Sequence, residues 1–539
     1  MKLYDILGRI VGGISLILIF SSCGELRKQN SQLPNILFIL ADDLGYGDVG
    51  SYNPNSTIPT PNLDRLSKEG IRFTDAHSPA TVCTPTRYGI LTGRMPFRTG
   101  KYGVFNGAGG PCLIENKRIT IGNMLQEKGY TTALFGKWHL GLTFFDNKGD
   151  PIHSNSFDAV KTIDYSQSIP DGPINRGFDK FFGTACCPTT DALYAFIDGN
   201  HIPVPPTNLL DKTNLPKHHY SKDNDIGMIA PGYDLQEIDM IFLERSIDFL
   251  KEHAEERKGS PFFLFHSMQA VHLPSFAGAN FRGKTTSGPH GDFIFQMDHI
   301  VGALIAALDK YGFSDNTLVI FTSDNGPEVP TILAMRRDFK HDGAAPWRGV
   351  KRDNWEGGHR VPFIAYWPNK IKGGQKTDEP IIGVDIFPTL LDLSGVNRPE
   401  QTLDGVSLKP FLLGQVQTVG PRPLFWHFPC YLQSYDVYEE QRDPLFRTRP
   451  CSVIRFGEWK LHEYFEDGAL QLYNLKEDIA EQKDLAKERP AMVSRLHKML
   501  KDWRRDTNAI VPKALNPKFD KKAEAQAIHA ARLKLRPVK

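Results

Sequence analysis

Residues 34–43 read Pro-Asn-Ile-Leu-Phe-Ile-Leu-Ala-Asp-Asp, a continuous apolar run that ends in two aspartates. A run of this length without polar alternation is typical of a strand buried on both faces, as in a parallel sheet. In open α/β sheets, ligands bind beyond the carboxyl ends of such strands. The stretch therefore predicts a central strand, and it makes Asp42 and Asp43 candidates for a ligand site at the end of that strand.

The same pattern of an apolar run followed by polar residues recurs three times along the chain. The runs begin near residues 131, 261 and 316, and the polar residues that follow them are Lys137 and His139, His272, and Asp324 and Asn325. Helical periodicity lies between the runs, at 63–70, 121–129, 236–253 and 293–311. Alternating strands and helices predict an α/β fold with a largely parallel sheet, in which these strand ends converge on one edge.

The polar residues at two of these strand ends suggest a metal site. Asp42, Asp43, Asp324 and Asn325 offer only oxygen ligands, which suit calcium or magnesium better than zinc. Three crowded carboxylates would repel each other without a cation, and a divalent ion there could act as a Lewis acid and a template. The alternative is structural: a helix or loop cap at 42–43 and a tight turn at 324–326.

Composition and the N-terminus bear on the compartment. The chain has 539 residues and a net charge of +2, so it can build a large core, and nothing suggests that it binds nucleic acid. Lys2 and Arg9 precede a short apolar run at 10–20, which predicts a signal peptide over 1–22. Ser21-Ser22-Cys23 resembles a lipoprotein cleavage site, with Cys23 lipidated; an ordinary secretory signal is the alternative. We expect a periplasmic or outer-membrane-anchored lipoprotein, otherwise a secreted protein, with membrane contact only through that anchor.

The cysteines indicate few disulfides. Seven are present, and none forms a Cys-x-x-Cys pair that would suggest a zinc or thioredoxin-like site. Cys186 and Cys187 are adjacent and cannot easily bond to each other. Cys430–Cys451 remains a candidate for a single bridge.

We place the catalytic domain at residues 33–420. Three regions of the chain, one within this domain and two after it, differ from the rest in composition or pattern. Residues 146–235 are rich in Pro, Gly, Asn and Asp and predict long loops over the ligand edge, where substrate selection would occur. Residues 421–510 predict a small antiparallel sheet with a packed helix, from short strands near 451–455, 458–464 and 470–474 and a helix near 489–506. Residues 511–539 form a basic tail.

The most specific motif is Cys-Thr-Pro-Thr-Arg-Tyr-Gly-Ile-Leu-Thr-Gly-Arg at 83–94. Pro85 suits the first turn of a helix, which would place Cys83 at a helix N-terminus, where an anion is favoured. By itself, Cys83 could equally be a buried structural cysteine. The spacing of Cys83, Pro85, Arg87, Thr92 and Gly93, however, resembles the signature Cys-x-Pro-x-Arg-x4-Thr-Gly of the formylglycine-dependent sulfatases. The resemblance implies that a separate maturation enzyme oxidises Cys83 to formylglycine.

Three more segments resemble this family. They are Gly-Lys-Trp-His-Leu-Gly around Lys137 and His139, Val-His-Leu-Pro around His272, and Arg-Gly-Val-Lys-Arg-Asp-Asn-Trp-Glu-Gly-Gly-His-Arg around Lys351. The resemblance extends from about residue 34 to 475 and is closest to glycan sulfatases of the arylsulfatase A and N-acetylgalactosamine-6-sulfatase type. It implies an alkaline-phosphatase-like α/β/α sandwich with a mostly parallel central sheet and a smaller C-terminal subdomain.

The resemblance also implies a role for each matching residue. Formylglycine at position 83, hydrated and bound to one Ca²⁺ with Asp42, Asp43, Asp324 and Asn325, would attack the sulfur atom. Arg87 and Lys137 would hold the hydrate and its charge. Lys351 and His272 would contact the sulfate, with His272 protonating the leaving oxygen. His139 would take a proton from the second hydroxyl of the hydrate.

The substrate is less constrained than the chemistry. The resemblance favours a sulfated polysaccharide or glycosaminoglycan fragment, with 6-sulfated galactose or N-acetylgalactosamine as the reacting sugar. Four polar residues either contact sugar hydroxyls or are ordinary surface residues: Asp191, Arg337, His341 and His427. Two other functions compete with a sulfatase, namely a phosphodiester or phosphonate hydrolase of the same superfamily and a non-catalytic sulfoglycan-binding lipoprotein in which Cys83 stays a thiol.

Overall fold

The computed structural model describes residues 33–221, 224–432, 434–436, 445–447, 449–523 and 525–526. The predicted signal peptide and Cys23 lie outside the described residues, as does the basic tail after residue 526. From Pro34 onward, the described residues belong to one compact unit.

The centre of the protein is a mixed sheet in which we number nine strands among the described residues. They are β1 (Asn35–Ala41), β2 (Ile71–Phe73), β3 (Thr131–Lys137), β4 (Lys180–Thr184), β5 (Ile197–Asp198), β6 (Phe262–Ser267), β7 (Thr317–Ser323), β8 (Phe363–Tyr366) and β9 (Gln375–Thr377). Their order across the sheet is β9-β2-β8-β7-β1-β6-β3-β4-β5.

The four apolar runs form the middle of this sheet, as predicted. Strand β1 lies between β6 and β7 and is parallel to both, so that Leu37 is level with Leu264 on one side and Val319 on the other. Strand β3 continues the parallel set beyond β6, and β4 follows it. Strands β5 and β8 are antiparallel to their inner neighbours, which makes the sheet mixed but mostly parallel in its centre. Because β1 is completely buried, its uniform hydrophobicity is explained.

Helices cover the sheet in two groups. The main helices of the described residues are α1 (Pro61–Glu69), α2 (Cys83–Thr92), α3 (Ile121–Gln126), α4 (Ile238–Glu256), α5 (Gly288–Lys310), α6 (Val329–Phe339), α7 (Glu356–His359), α8 (Ile386–Ser394) and α9 (Pro490–Thr507). One layer contains α1, α4 and α5, and another contains α2, α3 and α8. This arrangement is the predicted α/β/α sandwich. Helix α5 is long and apolar enough to cross a membrane, but it is mostly buried inside the protein.

The segment 146–235 is more ordered than its composition predicts. Besides loops, it supplies β4 and β5, which extend the central sheet beyond β3. It also holds short strands in small sheets, at Pro151–Ile152, Leu193–Tyr194, Asn208–Leu209 and Met228–Ile229. The prediction of loops throughout is therefore wrong for β4 and β5. Each is too short to show a period of its own, and the neighbouring strand decides its conformation.

A separate antiparallel sheet follows in the C-terminal part. Its strands are β10 (Leu424–Phe428), β11 (Cys451–Phe456), β12 (Trp459–Tyr464) and β13 (Leu470–Asn474), in that order. The sequence predicts all of these except β10. Helix α9 packs on one face through Leu496 and Leu500. The other face packs on residues of the catalytic part, and Trp426 and Val453 share one buried apolar cluster with Phe97 and Val384.

Cys430 and Cys451 are both free cysteines, so the candidate disulfide is wrong. Cys451 begins β11 with its thiol turned into the core, where it accepts a hydrogen bond from Nδ2 of Asn354 at 3.3 Å. In the ladder between β10 and β11, the residue opposite Cys451 is Phe428. Cys430 lies two residues further along the chain, beyond the end of β10.

A buried ion network joins the C-terminal sheet to the catalytic part. Lys460 on β12 contacts Glu356 at 2.9 Å and Glu481 at 3.0 Å, and Arg455 on β11 pairs with Asp75. All five side chains are at most one-tenth exposed. Since an unpaired buried charge is costly, Glu356 and Asp75 depend on their cationic partners in the C-terminal sheet.

Candidate active site

The ends of three central strands meet at one buried cluster. Asp42 and Asp43 follow β1, Lys137 ends β3, and Asp324 follows β7. The backbone N–H of Asp43 donates to Oδ1 of Asp324 at 3.2 Å, which links the ends of the neighbouring strands β1 and β7. The convergence that the sequence predicts is therefore present in the structure.

Cys83 reaches this cluster from helix α2, of which it is the first residue. Its Sγ donates to Oδ1 of Asp42 at 3.5 Å, and its side chain is buried. The N-cap is Val82, the residue before the helix. Burial, together with the carboxylates of Asp324 and Asp42, raises the pKa of the thiol well above its usual value. An unmodified Cys83 is therefore held as a neutral thiol, which is a poor nucleophile.

Three buried cations balance the three carboxylates. Arg87 donates from Nη2 to Asp42 at 3.0 Å and to Asp324 at 3.1 Å. Lys137 contacts Asp42, and Lys351 donates to Asp43 at 2.7 Å. Burial alone would raise the pKa of Asp42, but Lys137 and Arg87 outweigh it and hold that pKa well below its usual value. Burial and Asp42 raise the pKa of Asp324 to about 6.

The donor set fits a hard divalent cation. Potential ligand atoms of Asp42, Asp43, Cys83 and His272 all lie within 4.8 Å of one another. Nδ2 of Asn325 donates to Asp43 at 2.7 Å, while Oδ1 of Asn325 is buried and has no hydrogen-bond partner among the residues that the structure describes. Because buried amide oxygens are nearly always paired, a cation is a suitable partner for this one.

The two histidines flank the cluster and differ in protonation. Nε2 of His139 donates to the carbonyl of Phe105 at 2.8 Å, and burial lowers the pKa of this imidazole, so it is neutral. Nε2 of His272 lies 3.6 Å from Oδ2 of Asp43. Burial opposes protonation of His272 as well, but the Cys187 thiolate and Asp43 outweigh it and raise its pKa to about 9. At neutral pH, the cluster therefore contains one imidazole that can accept a proton and one that can donate it.

Cys187 is a site residue that the sequence analysis did not assign. Its Sγ lies 3.9 Å from Nδ1 of His139 and 3.9 Å from Nε2 of His272. Burial disfavours the thiolate, but Lys137 and His272 outweigh it and lower the pKa of Cys187 well below its usual value. The unusual Cys-Cys-Pro at 186–188 was the available signal, but only the fold shows that it lies between two histidines.

The cluster opens into a pocket of about 290 Å³. Cys83, His139, His272 and Lys351 line it from the catalytic part, and the lining also includes a buried ion pair in which Arg352 donates to both oxygens of Glu328, at 2.6 and 2.7 Å. Glu328 and Arg352 were also missed by the sequence analysis, although each lies within four residues of a predicted site residue.

The backbone is left-handed at Asp43, His139 and Arg352, with φ of 60°, 59° and 72°. Few residues other than glycine adopt this conformation, and such positions concentrate at functional sites because the surrounding structure must hold them.

Of the four candidate sugar contacts, Asp191 alone is among the pocket-lining residues. His341 is completely buried against Asp48, with Nε2 2.7 Å from Oδ1. His427 bonds to Ser452 and to the carbonyl of Ile510. Arg337 pairs with its neighbour Asp338 on the exposed side of α6. These three positions have structural contacts instead.

Comparison with known proteins agrees with this geometry. The sequence model of the family named Sulfatase matches residues 34–396, which includes every strand end and side chain of the cluster. The chain belongs to the sulfatase family. It is thus an enzyme of the sulfuric ester hydrolases, and its sandwich is the alkaline-phosphatase-like fold of that family. A second family model, "N-sulphoglucosamine sulphohydrolase, C-terminal", matches residues 349–506.

Individual sulfatases resemble the chain over most of its length. Arylsulfatase A from Bos taurus is 35% identical over 442 residues, covering 81% of this chain and 76% of the bovine protein. The N-acetylgalactosamine-6-O-sulfatase of Bacteroides thetaiotaomicron is 31% identical over 513 residues, covering 88% and 93%. A solved structure from work on the metabolism of multiple glycosaminoglycans by the same bacterium superimposes with a TM-score of 0.73 at 28% identity, covering 88% of this sulfatase and 100% of that chain.

Proposed function

We propose that this sulfatase hydrolyses sulfate monoesters of sulfated carbohydrates, with 6-O-sulfated galactose or N-acetylgalactosamine as the reacting sugar. One observation carries the chemistry: Cys83, the formylglycine position of the motif, lies 3.5 Å from Asp42 at the base of a pocket flanked by two histidines. The choice of sugar is supported by the relative from Bacteroides thetaiotaomicron, which is named an N-acetylgalactosamine-6-O-sulfatase.

The proposed nucleophile is formylglycine made from Cys83 by a maturation enzyme, and the proposed metal is a single Ca²⁺. Asp42, Asp43, Asp324 and Asn325 would hold the ion, as hard oxygen ligands, together with position 83. Formylglycine supplies a hydroxyl nucleophile in its hydrated form, and a bound divalent ion supplies Lewis-acid polarisation. In the present structure, Sγ of Cys83 stands in for the oxygen of the modified side chain.

The side chains around the nucleophile stabilise charge and transfer protons. Arg87, Lys137 and Lys351 surround position 83 with fixed positive charge, which stabilises the negative charge that develops as the ester bond breaks. Protonated His272 donates its Nε2 proton to the departing oxygen. Nδ1 of neutral His139 then accepts the proton released at position 83. The opposite protonation of the two imidazoles supports this division between acid and base.

Replacing His272 by glutamine is expected to affect substrates unequally. A sugar alkoxide is a poor leaving group and needs the proton, so kcat/KM for a sugar sulfate should fall by about 10²–10⁴-fold. Nitrophenolate departs readily without a proton, and hydrolysis of nitrophenyl sulfate should fall far less. Steady-state kinetics on both substrates measure the difference. The exposed His299 provides a matched control, and His299→Gln should leave both rates unchanged. Equal losses on both substrates for His272→Gln would argue against a proton-donor role.

A comparison of sulfate and phosphate esters as substrates tests the substrate class directly. Wild-type enzyme should hydrolyse nitrophenyl sulfate with a higher kcat/KM than nitrophenyl phosphate under the same conditions. A strong preference for the phosphate ester would overturn the proposal in favour of a phosphodiester or phosphonate hydrolase.

A further inference from the structure

One wall of the pocket comes from the segment that precedes α4. It contributes Cys187, Thr190, Asp191 and Asp225, while the catalytic groups lie on α2, at the end of β3 and in the loops that follow β3, β6 and α6. Apart from Cys187, which contacts both histidines, these residues take no part in the proposed chemistry, and two of the four side chains are carboxylic acids.

The side chain of Asp191 is held firmly from one side. Its Oδ1 accepts a hydrogen bond from the backbone N–H of Gly107 and another from the N–H of Ala192 at 3.1 Å. The residue is only 5% exposed. Two backbone donors on a single oxygen fix the orientation of the carboxyl group before any ligand arrives.

The second oxygen of Asp191 is different. Oδ2 is buried and has no hydrogen-bond partner in the described part of the chain. Buried carboxylate oxygens without donors are rare, and each calls for an explanation. Burial and the charge on Cys187 raise the pKa of Asp191 to about 7, and they outweigh the opposite effect of the Gly107 N–H and of the neighbouring Cys186 thiol. A carboxylate in this position is poorly solvated and would be stabilised by a donor brought by a ligand.

We propose that Asp191 is a specificity-determining residue whose free Oδ2 accepts a hydrogen bond from a hydroxyl or amide N–H of the sugar that carries the sulfate. This assignment rests on the proposed function. It also narrows the substrate class, because Asp191 and Asp225 would repel a second anionic substituent on that side of the ring. The substrate is a neutral sugar residue with one sulfate group, and neither a uronic acid nor a disulfated sugar suits the wall.

The test compares three variants on two kinds of substrate. Asp191→Asn keeps the shape of the side chain, Asp191→Ala removes it, and Asp158→Asn changes a carboxylate on the same segment whose side chain is 86% exposed. The substrates are nitrophenyl sulfate, which offers no sugar hydroxyls, and N-acetylgalactosamine 6-sulfate or galactose 6-sulfate. Thermal unfolding of each variant confirms that it is folded at the assay temperature.

Both Asp191 variants are expected to lose about 10- to 100-fold in kcat/KM on the sugar sulfate, the range for a hydrogen bond to a charged group. Activity on nitrophenyl sulfate should stay within a few-fold of wild type, and Asp158→Asn should match wild type on both substrates. Wild type should also have a higher kcat/KM for a singly sulfated sugar than for its disulfated analogue. Asp191→Asn should reduce the ratio of these two kcat/KM values.

Two results would overturn the assignment. An equal loss of kcat/KM on nitrophenyl sulfate and on the sugar sulfate would indicate that Asp191 has a structural role. If the Asp191 variants kept full activity on the sugar sulfate and the wild-type preference for the singly sulfated sugar, Asp191 would have no role. Failure of the proposed function has a separate signature, since wild-type enzyme would then cleave nitrophenyl sulfate but neither of the 6-sulfated sugars. In that event, Asp191→Asn is assayed on whichever sulfated sugar wild type cleaves, with the same two outcomes deciding.

Discussion

Replacing Cys83 by alanine is expected to abolish hydrolysis of sulfate esters while leaving the fold intact. The proposed nucleophile derives from this side chain, and loss of a covalent nucleophile lowers kcat by about 10⁴-fold or more. Cys83→Ser should be equally inactive in turnover, because a serine ester lacks the second hydroxyl through which His139 could drive release of sulfate. Steady-state rates on nitrophenyl sulfate measure the loss.

The control for this prediction is another cysteine. Cys112 is a free cysteine outside the pocket lining, and Cys112→Ser should keep the wild-type rate. Peptide mass spectrometry of active wild-type protein adds an independent readout, since conversion of the thiol to an aldehyde lowers the mass of the peptide that contains position 83. Full activity in protein whose Cys83 is entirely unmodified would contradict the proposed nucleophile.

Replacing Asp324 by alanine is expected to remove the metal ion and with it most of the activity. Lewis-acid stabilisation of developing charge is worth several kcal/mol, so a loss of about 10³-fold or more in kcat/KM should follow. Folding should suffer only a modest loss, because Arg87 loses its bonds to Asp324 but keeps its contact with Asp42 at 3.0 Å. Metal content by mass spectrometry, thermal unfolding and activity are measured on the same preparation.

Asp298 is the matched control for Asp324. It is also a buried aspartate with a pKa raised by burial, to about 6, but it accepts hydrogen bonds from the backbone of Asn62 and Leu63 at the start of α1. Asp298→Asn should lower stability and keep the metal, whereas Asp324→Ala should lose the metal and keep most of its stability. Removing Ca²⁺ from wild type with a chelator should reproduce the loss, and adding Ca²⁺ should restore activity. Normal metal content in Asp324→Ala would show that the ligand assignment is wrong.

The parts of the fold that the sequence predicts are those with a strong local signal. Strands β1, β3, β6 and β7 are long and almost completely buried, and each contains an apolar run by which its sequence identifies it. Strands such as β4, with Lys-Phe-Phe-Gly-Thr, are short and lie in a segment rich in turn-forming residues. Their conformation comes from pairing with β3, and a one-dimensional pattern does not contain that information.

The site divides in the same way. Position 83 and its surrounding cations fall in short motifs or at strand ends, where sequence can indicate them. The contact of Cys187 with both histidines and the unpaired oxygen of Asp191 depend on how a long segment folds back over the sheet. No spacing rule encodes such a contact, because its two sides are separated by dozens of residues whose path is decided by tertiary packing.

The ion network beneath the C-terminal sheet limits how chimaeras of this enzyme can be built. Lys460 and Arg455 neutralise Glu356 and Asp75, and Glu356 opens the helix that begins five positions after Lys351. A C-terminal sheet transplanted from another sulfatase without those two cations would leave Glu356 and Asp75 buried and unpaired. Glu356 lies close in sequence to the loop that carries Lys351.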